Sequence, residues 1–345
     1  MKEFREDNMN FIKWTGLIAA TAAGLAGGSA YAESFNVAHG YPPTHPVVAQ
    51  GIVPWMACVE EKTGNAITFI HFPSGQITSH NAAIDSVNSG VTDIAAIITG
   101  YVSSQMPLNG IPLLPDMGTE AVDMVAAYRK AGDAGAAIAQ EFTANKLHPL
   151  LFNLQPAYQV MSSGAPADTL AKFSGLKARV SAGSPSLMAT ALGAIPVEMS
   201  TSDMYIAMQR GTVDAAFIAM ASGKTYGLPE LVKSVSTNGS FGSGAAVLSI
   251  NLDKYNALSD EFKAAFDDCG RQVEVDLALY MDKENVALQT EFAESGITLF
   301  EFAPEELEAI SSKLSVVADD YIKRLEDRGI AARETFDAYR EGLAQ

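Results

Sequence analysis

The chain of 345 residues carries 40 acidic and 23 basic side chains, a formal net charge of -17 with a pI near 4.6. A negative field of this size repels phosphate backbones and anionic membranes, which argues against nucleic-acid binding. Hydrophobic residues make up 48% and charged residues 18% of the chain, a balance typical of a folded globule rather than a disordered acidic tail, and the length suggests about two domains.

The first 32 residues have the pattern of an export signal. Residues 15–28 are uncharged and mildly apolar, Lys13 precedes them, and an Ala-Tyr-Ala tripeptide ends at Ala32. We therefore expect cleavage after Ala32 and export of the mature chain. The apolar run is shorter than the roughly 20 residues that a bilayer span requires, which argues against a membrane anchor. Met9 is an alternative start, because three acidic residues precede it where a signal peptide is usually basic.

In the rest of the chain, short apolar runs alternate with helical stretches, which predicts an α/β fold. Strands are predicted at 35–39, 66–72, 93–98, 148–154, 158–163, 176–181, 195–199, 214–220, 246–250 and 297–302. Helices are predicted between them, among others at 54–62, 82–88 and 202–209. Each of these three is followed within two residues by glycine, a common signal for the end of a helix.

Residues 259–294 form the longest predicted helix. Ser259 is a favourable N-cap, two acidic residues follow it, and apolar residues recur at steps of three or four. At 1.5 Å per residue this helix would run about 50 Å, so we expect it to cross between domains. Gly270 can instead break it, because an interior glycine costs about 1 kcal/mol. A last helix is predicted at 304–328.

Cys58 and Cys269 are the two cysteines of the chain, and each lies in a predicted helix. Two thiols cannot form a disulfide framework or a four-thiolate metal site. In an oxidising compartment they can pair with each other, but a buried cysteine usually behaves as a small hydrophobic residue. The sequence therefore favours two unpaired cysteines.

Motifs for a nucleotide, a metal or a catalytic serine are incomplete. Residues 223–225 (Gly-Lys-Thr) imitate the end of a P-loop, but Ile218 stands where that loop requires glycine. The glycines of residues 239–244 lack dinucleotide-binding spacing and are expected in a hinge or turn. The five histidines show no His-Glu-x-x-His pattern, and no Gly-x-Ser-x-Gly turn is present. We therefore expect no cofactor, no metal and no enzymatic activity.

One cationic side chain lies inside an otherwise apolar strand. Alternation over residues 176–180 places Lys177 and Arg179 on the face opposite the apolar side chains. Arg179 lies at the carboxyl end of the strand, where α/β sheets open into ligand crevices. Its planar guanidinium suits a carboxylate held by two parallel hydrogen bonds. The alternative is a structural ion pair with one of the many acidic side chains.

Several weak patterns occur together, in order, over nearly the whole chain. They are residues 39–46, VEEKTG at 59–64, FPSGQI at 72–77, the turn at 90–93 leading into the apolar run to 98, FSGLKARV at 173–180, LGAIPVEMSTSDMYIAMQRGTVDA at 192–215 and the long helix. In this combination the chain resembles the periplasmic solute-binding proteins of tripartite ATP-independent periplasmic (TRAP) transporters, dicarboxylate-type.

The resemblance implies a two-domain periplasmic binding protein fold in which a long helix spans both domains. Domain I would comprise residues 33–156 plus 245–284, and domain II residues 157–244 plus 285–345, with hinges at the crossovers. Arg179 would clamp the ligand carboxylate while the domains close over it. The partners would be a small carboxylate and the transporter's membrane subunits, and the protein would be mostly monomeric.

Departures from the family pattern imply a pocket less polar than that of members that bind sugar acids. Gln159 stands where many of those members have a second arginine, Ala-Phe-Ile at 216–218 replaces Gln-Glu-Asn, and Ile98 and Tyr101 replace a charged pair. We therefore expect a carboxylate with an apolar or aromatic body. Tyr101 and Phe217 would pack that body next to Ile98 and Ile218, and Gln159 would assist the carboxylate. Such side chains can equally well fill a core.

Three further residues are candidates for the rim of the site. Tyr41 and His39 follow the first predicted strand, and His80 lies near the second helix.

Two other functions share parts of this pattern. The same fold can present a ligand to a sensor kinase, and an exported hydrolase is the third hypothesis, although no activated nucleophile supports it.

Overall fold

The computed structural model describes residues 32–132 and 135–343. The predicted signal sequence up to residue 31, with both alternative starts, lies outside the described residues. Within the described part of the chain, no helix is both long and apolar enough to cross a bilayer.

The described chain is a mixed α/β fold. Its strands are β1 (Glu33–Ala38), β2 (Ile67–Phe72), β3 (Ile94–Ile98), β4 (Leu147–Leu154), β5 (Gln159–Ser162), β6 (Lys177–Val180), β7 (Ile195–Glu198), β8 (Ala215–Ile218), β9 (Ser234–Ser236), β10 (Ala245–Asn251) and β11 (Thr298–Phe300). Its α-helices are α1 (Val53–Lys62), α2 (Ala83–Asn88), α3 (Ala121–Ala131), α4 (Ala137–Ala144), α5 (Ser184–Ala191), α6 (Met204–Gln209), α7 (Met220–Thr225), α8 (Leu252–Ala257), α9 (Asp260–Glu294), α10 (Pro304–Glu326) and α11 (Ala332–Leu343). All ten predicted strands are confirmed.

The strands form two sheets. The first has the order β2-β1-β3-β10-β4, and the second has the order β11-β9-β5-β8-β6-β7. In the first sheet β1 runs parallel to β2 and β3, whereas β10 is antiparallel to both of its neighbours. In the second sheet β6 runs parallel to β7 and β8, whereas β5 is antiparallel to β8 and β9. The chain enters the antiparallel strands β5 and β10 through short crossovers from the other sheet, whereas it reaches β11, which is parallel to β9, through α9.

Two crossover segments connect the sheets. Gln155–Tyr158 leads from β4 to β5, and Thr237–Gly244 leads from β9 to β10. The segments are hydrogen-bonded to each other, from Gln155 N to the Gly244 oxygen at 3.0 Å and from Tyr158 N to the Gly242 oxygen at 2.8 Å. Gly242 has φ +81°, a conformation that glycine adopts without strain. The glycines between residues 239 and 244 therefore lie in a connection between sheets, and the proposed domain boundaries near it stay a prediction.

The long helix is continuous over 35 residues, as predicted. Ser259 caps it, because its side chain accepts a hydrogen bond from Phe262 N. From Phe266 to Met281 its buried residues belong to the core of the first sheet, whereas Leu288 and Phe292 belong to a core of the second sheet. The helix therefore contacts both sheets.

Gly270 does not break the helix. A methyl group at this position would overlap the carbonyl oxygen of Leu150 in β4. The absence of a side chain therefore lets α9 lie directly against the edge strand of the first sheet. Close packing is the reason for this glycine, and the conformational cost of an interior glycine is overcome by the surrounding contacts.

The last helices return to the first sheet. In α10, Leu314 and Val317 pack in the core of the second sheet, whereas Ile322 packs in the core of the first. Phe336 and Tyr339 of α11 also belong to the core of the first sheet. Neither α11 nor β9 was predicted individually. For β9 the reason is that the strand is short and two of its three residues are serines.

The expectation of unpaired cysteines is wrong. Cys58 in α1 and Cys269 in α9 form a disulfide with a Cα–Cα distance of 5.8 Å, and 211 positions separate them in the sequence. Packing of α1 against α9 brings the two thiols together, a contact between distant segments that no local pattern indicates. The bond ties α9 to the first sheet's core, next to Trp55, whose indole donates to the Phe266 oxygen at 3.1 Å.

Gly270→Ala tests the close packing of α9 on β4. In an ordinary helix this change stabilises by about 1 kcal/mol. Here we expect it to lower the free energy of unfolding by about 2 kcal/mol, because the methyl group meets the Leu150 carbonyl. Urea denaturation followed by circular dichroism measures the change, and an unchanged or raised stability would contradict it.

Candidate functional site

A cavity lies between the two sheets, at the ends of strands from both. The cavity is narrow, and its volume, including solvent at its mouth, is about 460 Å³. The lining is drawn from both sheets and both crossovers: Tyr41, His45, Ile98, Gly100, Tyr101, Leu113, Gln155, Tyr158, Arg179, Ser181, Thr201, Ile218, Ser222, Tyr226, Ser243, Gly244 and Ala245. Because the space is narrow, a ligand of several heavy atoms requires the lining to move apart before it enters.

Arg179 reaches this cavity from β6. Its neighbours Ala178 and Val180 point into the core of the second sheet, so the alternation of the strand directs Arg179 to the other side. The residue is 1% exposed. Its Nε and Nη2 atoms donate to the Met199 oxygen at 3.2 and 3.0 Å, and Nη2 also donates to the Tyr101 hydroxyl at 2.8 Å. These bonds fix the guanidinium and leave Nη1 with no hydrogen bond to any described residue.

The alternative of a structural ion pair is not observed for Arg179. Among the described residues, the ion pairs of arginine and lysine side chains do not include it. No aspartate or glutamate is present among the residues that line the cavity. Lys177, on the same face of β6, is exposed and pairs with Asp214 at 3.5 Å. A buried guanidinium whose charge has no carboxylate partner is energetically costly, and such a group is suited to binding an anionic ligand.

Four tyrosines, Tyr41, Tyr101, Tyr158 and Tyr226, line the cavity that the guanidinium faces. Tyr101 accepts hydrogen bonds from Arg179 and from the Thr201 backbone at 3.0 Å, so its own hydroxyl proton is directed elsewhere. Burial raises the pKa of Tyr226 to about 12, and it raises those of Tyr41 and Tyr158 further. The phenols are therefore neutral and can donate. Their rings form flat apolar walls next to a positive charge.

A chain of hydrogen bonds runs from His45, near the first sheet, through Ser222 of α7 to Gln155 of the first crossover. The Nδ1 atom of His45 accepts from Val47 N at 3.2 Å, so the ring proton must lie on Nε2 and be donated to Ser222 Oγ at 3.0 Å. Ser222 in turn donates to Gln155 Oε1 at 2.6 Å. This direction is the reverse of a catalytic serine and histidine, in which the ring nitrogen accepts the serine proton. The arrangement therefore does not activate Ser222.

His39 and His80, predicted at the rim, lie beside the cavity rather than in its lining. His80 is buried between Tyr41 and Tyr101, with ring centroids at 4.7 and 5.8 Å, and neither of its ring nitrogens has a hydrogen-bond partner among the described residues. His39 contacts His71 through their Nε2 atoms at 2.7 Å. Burial lowers the pKa of His80 to about 4, with a further contribution from Arg179, and burial lowers that of His39 to about 3.

Gln159 and Phe217 are not brought to the cavity. The amide of Gln159 donates to the Gly239 oxygen at 2.6 Å and accepts from Ser236 Oγ at 2.8 Å, so its polar atoms are engaged inside the second sheet. Phe217 packs against Phe241 with ring centroids 5.1 Å apart, in the core of that sheet. Ile218, the next residue of β8, points the opposite way and lines the cavity.

The structure thus brings together Arg179, Tyr101, Ile98, Ile218 and Tyr41 of the predicted residues. It adds polar residues that sequence reasoning missed, chiefly His45, Gln155, Tyr158 and Tyr226. One signal was available: Gln155 and Tyr158 flank the predicted crossover between domains, and ligands of two-domain proteins often bind where the domains meet. No local pattern marks Tyr226, which follows α7.

Comparisons with known proteins agree with this architecture. The pattern of the family described as "DctP: Bacterial extracellular solute-binding protein, family 7" matches residues 37–324. A relative named outer membrane transporter protein TsaT, from Comamonas testosteroni, is 24% identical over 305 residues, 88% of this chain and 89% of its own.

Two solved structures are similar over almost their whole lengths. A TRAP solute-binding protein from a marine metagenome, specific for aromatic acids and bound to metahydroxyphenylacetate, has a TM-score of 0.84 at 21% identity and covers 90% of this chain and 98% of its own. A TRAP solute-binding protein from Rhodoferax ferrireducens, with copurified benzoate, has a TM-score of 0.83 at 23% identity and covers 90% and 97%. These similarities establish the fold.

The buried histidines predict an acid-sensitive fold. His80 is neutral in the folded state but has a pKa near 6.5 when unfolded, so the unfolded state binds more protons between these values. The contribution of neutral His80 to the free energy of unfolding is therefore fully present above about pH 6.5 and is lost as the pH falls towards 4. We expect His80→Phe to reduce this loss by about 2 kcal/mol between pH 7 and 4.5, measured by urea denaturation. Equal pH dependence in both proteins would contradict the prediction.

Proposed function

Because the chain belongs to the DctP family of bacterial extracellular solute-binding proteins, we propose that it binds an organic carboxylate with an apolar or aromatic body and delivers it to a TRAP transporter. The observation that carries the proposal is the buried guanidinium of Arg179, which faces a cavity between two sheets and has no acidic partner among the described residues. A carboxylate supplies the missing charge and accepts the hydrogen bond that Nη1 can donate.

The walls of the cavity favour a flat, apolar ligand body. Tyr41, Tyr158 and Tyr226 contribute rings, and Ile98 and Ile218 contribute aliphatic surface. Structural relatives bind benzoate, metahydroxyphenylacetate and, in a protein from Bordetella bronchiseptica, mandelate. Their ligands agree with the ligand class inferred from this lining, a small acid whose body packs between rings.

Binding is coupled to movement of the two sheets. Arg179 in the second sheet is hydrogen-bonded to Tyr101, which follows β3 of the first, and His45 near the first sheet is bonded to Ser222 near the second. A ligand that contacts both sides adds to these bonds and shifts the population towards the closed form, which the membrane subunits recognise. The crossovers 155–158 and 237–244 are the proposed hinges.

The proposed mechanism has no chemical step. The family and the fold are those of solute-binding proteins, and the direction of the hydrogen bonds at His45 and Ser222 gives an exported hydrolase no support. A role in presenting a ligand to a sensor kinase would use the same cavity, but no observation favours it over transport.

Arg179→Met tests the anchor. We expect the dissociation constant for a bound aromatic carboxylate to rise at least about 100-fold, because losing a buried charged partner costs about 3–5 kcal/mol. Lys177→Met is the matched control, since it removes a cation from the same strand that lies outside the cavity lining. Isothermal titration calorimetry measures both, and circular dichroism verifies folding. Unchanged affinity in Arg179→Met would remove the basis of the proposal.

We further propose that the mature protein is periplasmic and begins at Glu33. The apolar run before Ala32 and the Ala-Tyr-Ala tripeptide support this site. Expression of the full chain in a bacterium with a periplasm should yield a periplasmic product whose intact mass corresponds to residues 33–345. A product that retains residues before 33, or that remains in the cytoplasm, would refute the cleavage site.

A further inference from the structure

The cavity holds more hydrogen-bond donors than one carboxylate needs. Gln155 is 6% exposed, and its Oε1 accepts the Ser222 proton because His45 already donates to Ser222. Because the oxygen of the Gln155 amide is engaged, the nitrogen is the end of the side chain that stays available. This nitrogen has no hydrogen bond to any described residue. The Gln155 amide therefore offers its two N–H donors, and not its oxygen, to the cavity that it lines.

A second side chain of the same cavity lining has an available hydroxyl. The hydroxyl of Tyr226 is buried and has no hydrogen-bond partner of good geometry among the described residues. Thr201 Oγ1 lies beside it and likewise lacks a hydrogen bond of good geometry, so the contact between these two hydroxyls is at most a weak hydrogen bond. These atoms are separate from the Met199 oxygen and the Tyr101 hydroxyl that hold Arg179. A buried hydroxyl without a well-aligned partner is destabilising, and a ligand oxygen beside the Tyr226 hydroxyl would supply that partner.

The charge of the lining limits what that acceptor can be. Arg179 is the one lysine or arginine among the residues that line the cavity. Burial lowers the pKa of His45 to about 3, so His45 is neutral at physiological pH. The histidines behind the lining, His39 and His80, are neutral for the same reason. A second carboxylate would be a buried negative charge without a cation beside it, which is strongly unfavourable.

We infer that the ligand is a monocarboxylate that carries a second, uncharged oxygen, a hydroxyl or a carbonyl, and that Gln155 and Tyr226 bind this oxygen. The inference rests on the proposed function, since it takes the carboxylate to be held at Arg179. It adds two specificity-determining residues and excludes dicarboxylates. An acid without the second oxygen leaves the donors of Gln155 and Tyr226 unmet, and sites built to bind a substrate oxygen strongly reject analogues that lack it.

The test compares acids of matched skeleton by calorimetry on the mature protein. Three pairs differ in one oxygen: benzoate and 3-hydroxybenzoate, phenylacetate and mandelate, and 4-methylpentanoate and its 2-oxo derivative. Isophthalate and phenylsuccinate are the dicarboxylates. We expect the oxygen-bearing member of the best-binding pair to bind at least tenfold tighter than its partner, and both dicarboxylates to bind more weakly than that member.

Tyr226→Phe then identifies the group that recognises the oxygen. We expect it to weaken the oxygen-bearing acid about tenfold and to change the unsubstituted acid less than twofold. Gln155→Met should show the same selectivity, and Tyr226→Phe keeps the test valid if Gln155→Met fails to fold. Tyr205→Phe is the matched control, because its hydroxyl bonds Glu230 on the exposed surface at 2.8 Å. It should leave every affinity unchanged.

The outcomes separate this inference from the proposed function. Tight binding of an unsubstituted acid or a dicarboxylate, lost in Arg179→Met, would uphold the proposed function and overturn the inference. Equal effects of Tyr226→Phe on both members of a pair would also overturn it. If no carboxylate binds the wild-type protein, the proposed function fails and the inference fails with it.

Discussion

A buried guanidinium without an acidic partner is the constraint on which the site depends. The chain has 40 acidic side chains, yet none of those described pairs with Arg179, and none lines the cavity that it faces. The Met199 carbonyl and the Tyr101 hydroxyl hold the side chain in place through neutral oxygens. The positive charge is therefore oriented but not neutralised, which leaves its strongest interaction for a ligand.

The surrounding fold restricts where movement can occur. The Cys58–Cys269 disulfide and the close contact of Gly270 with Leu150 fix α9 to the first sheet. The same helix contacts the second sheet only near its end, through residues such as Leu288 and Phe292. In the proposed closure, movement between the sheets would be accommodated by the two hydrogen-bonded crossovers, and both crossovers also supply residues to the cavity. The proposed hinges would then lie directly beside the proposed ligand.

The polar lining divides into two parts with different tasks. Arg179 provides the charge and Tyr101 helps to orient it, whereas the hydrogen bonds from His45 through Ser222 to Gln155 determine which end of the Gln155 amide is left for the proposed ligand. Because a backbone N–H occupies His45 Nδ1, the direction of this chain follows from local geometry. Neutral histidines behind the lining keep the cavity at one positive charge, at the expense of stability in acid.

Local patterns determined much of the architecture. Apolar runs and glycine signals were sufficient for ten strands and the long helix, because burial periodicity and helix capping act within short segments. The alternation around residues 176–180 also placed Arg179 away from the core. Tertiary structure decided the rest. Three features depend on contacts between segments far apart in sequence: the disulfide, the packing of Gly270 against Leu150, and the hydrogen bond from the Gln159 amide to the Gly239 oxygen. Phe217 fills a core, whereas Tyr226 lines a cavity. The difference depends on which distant segments pack around each residue, and no single segment contains that information.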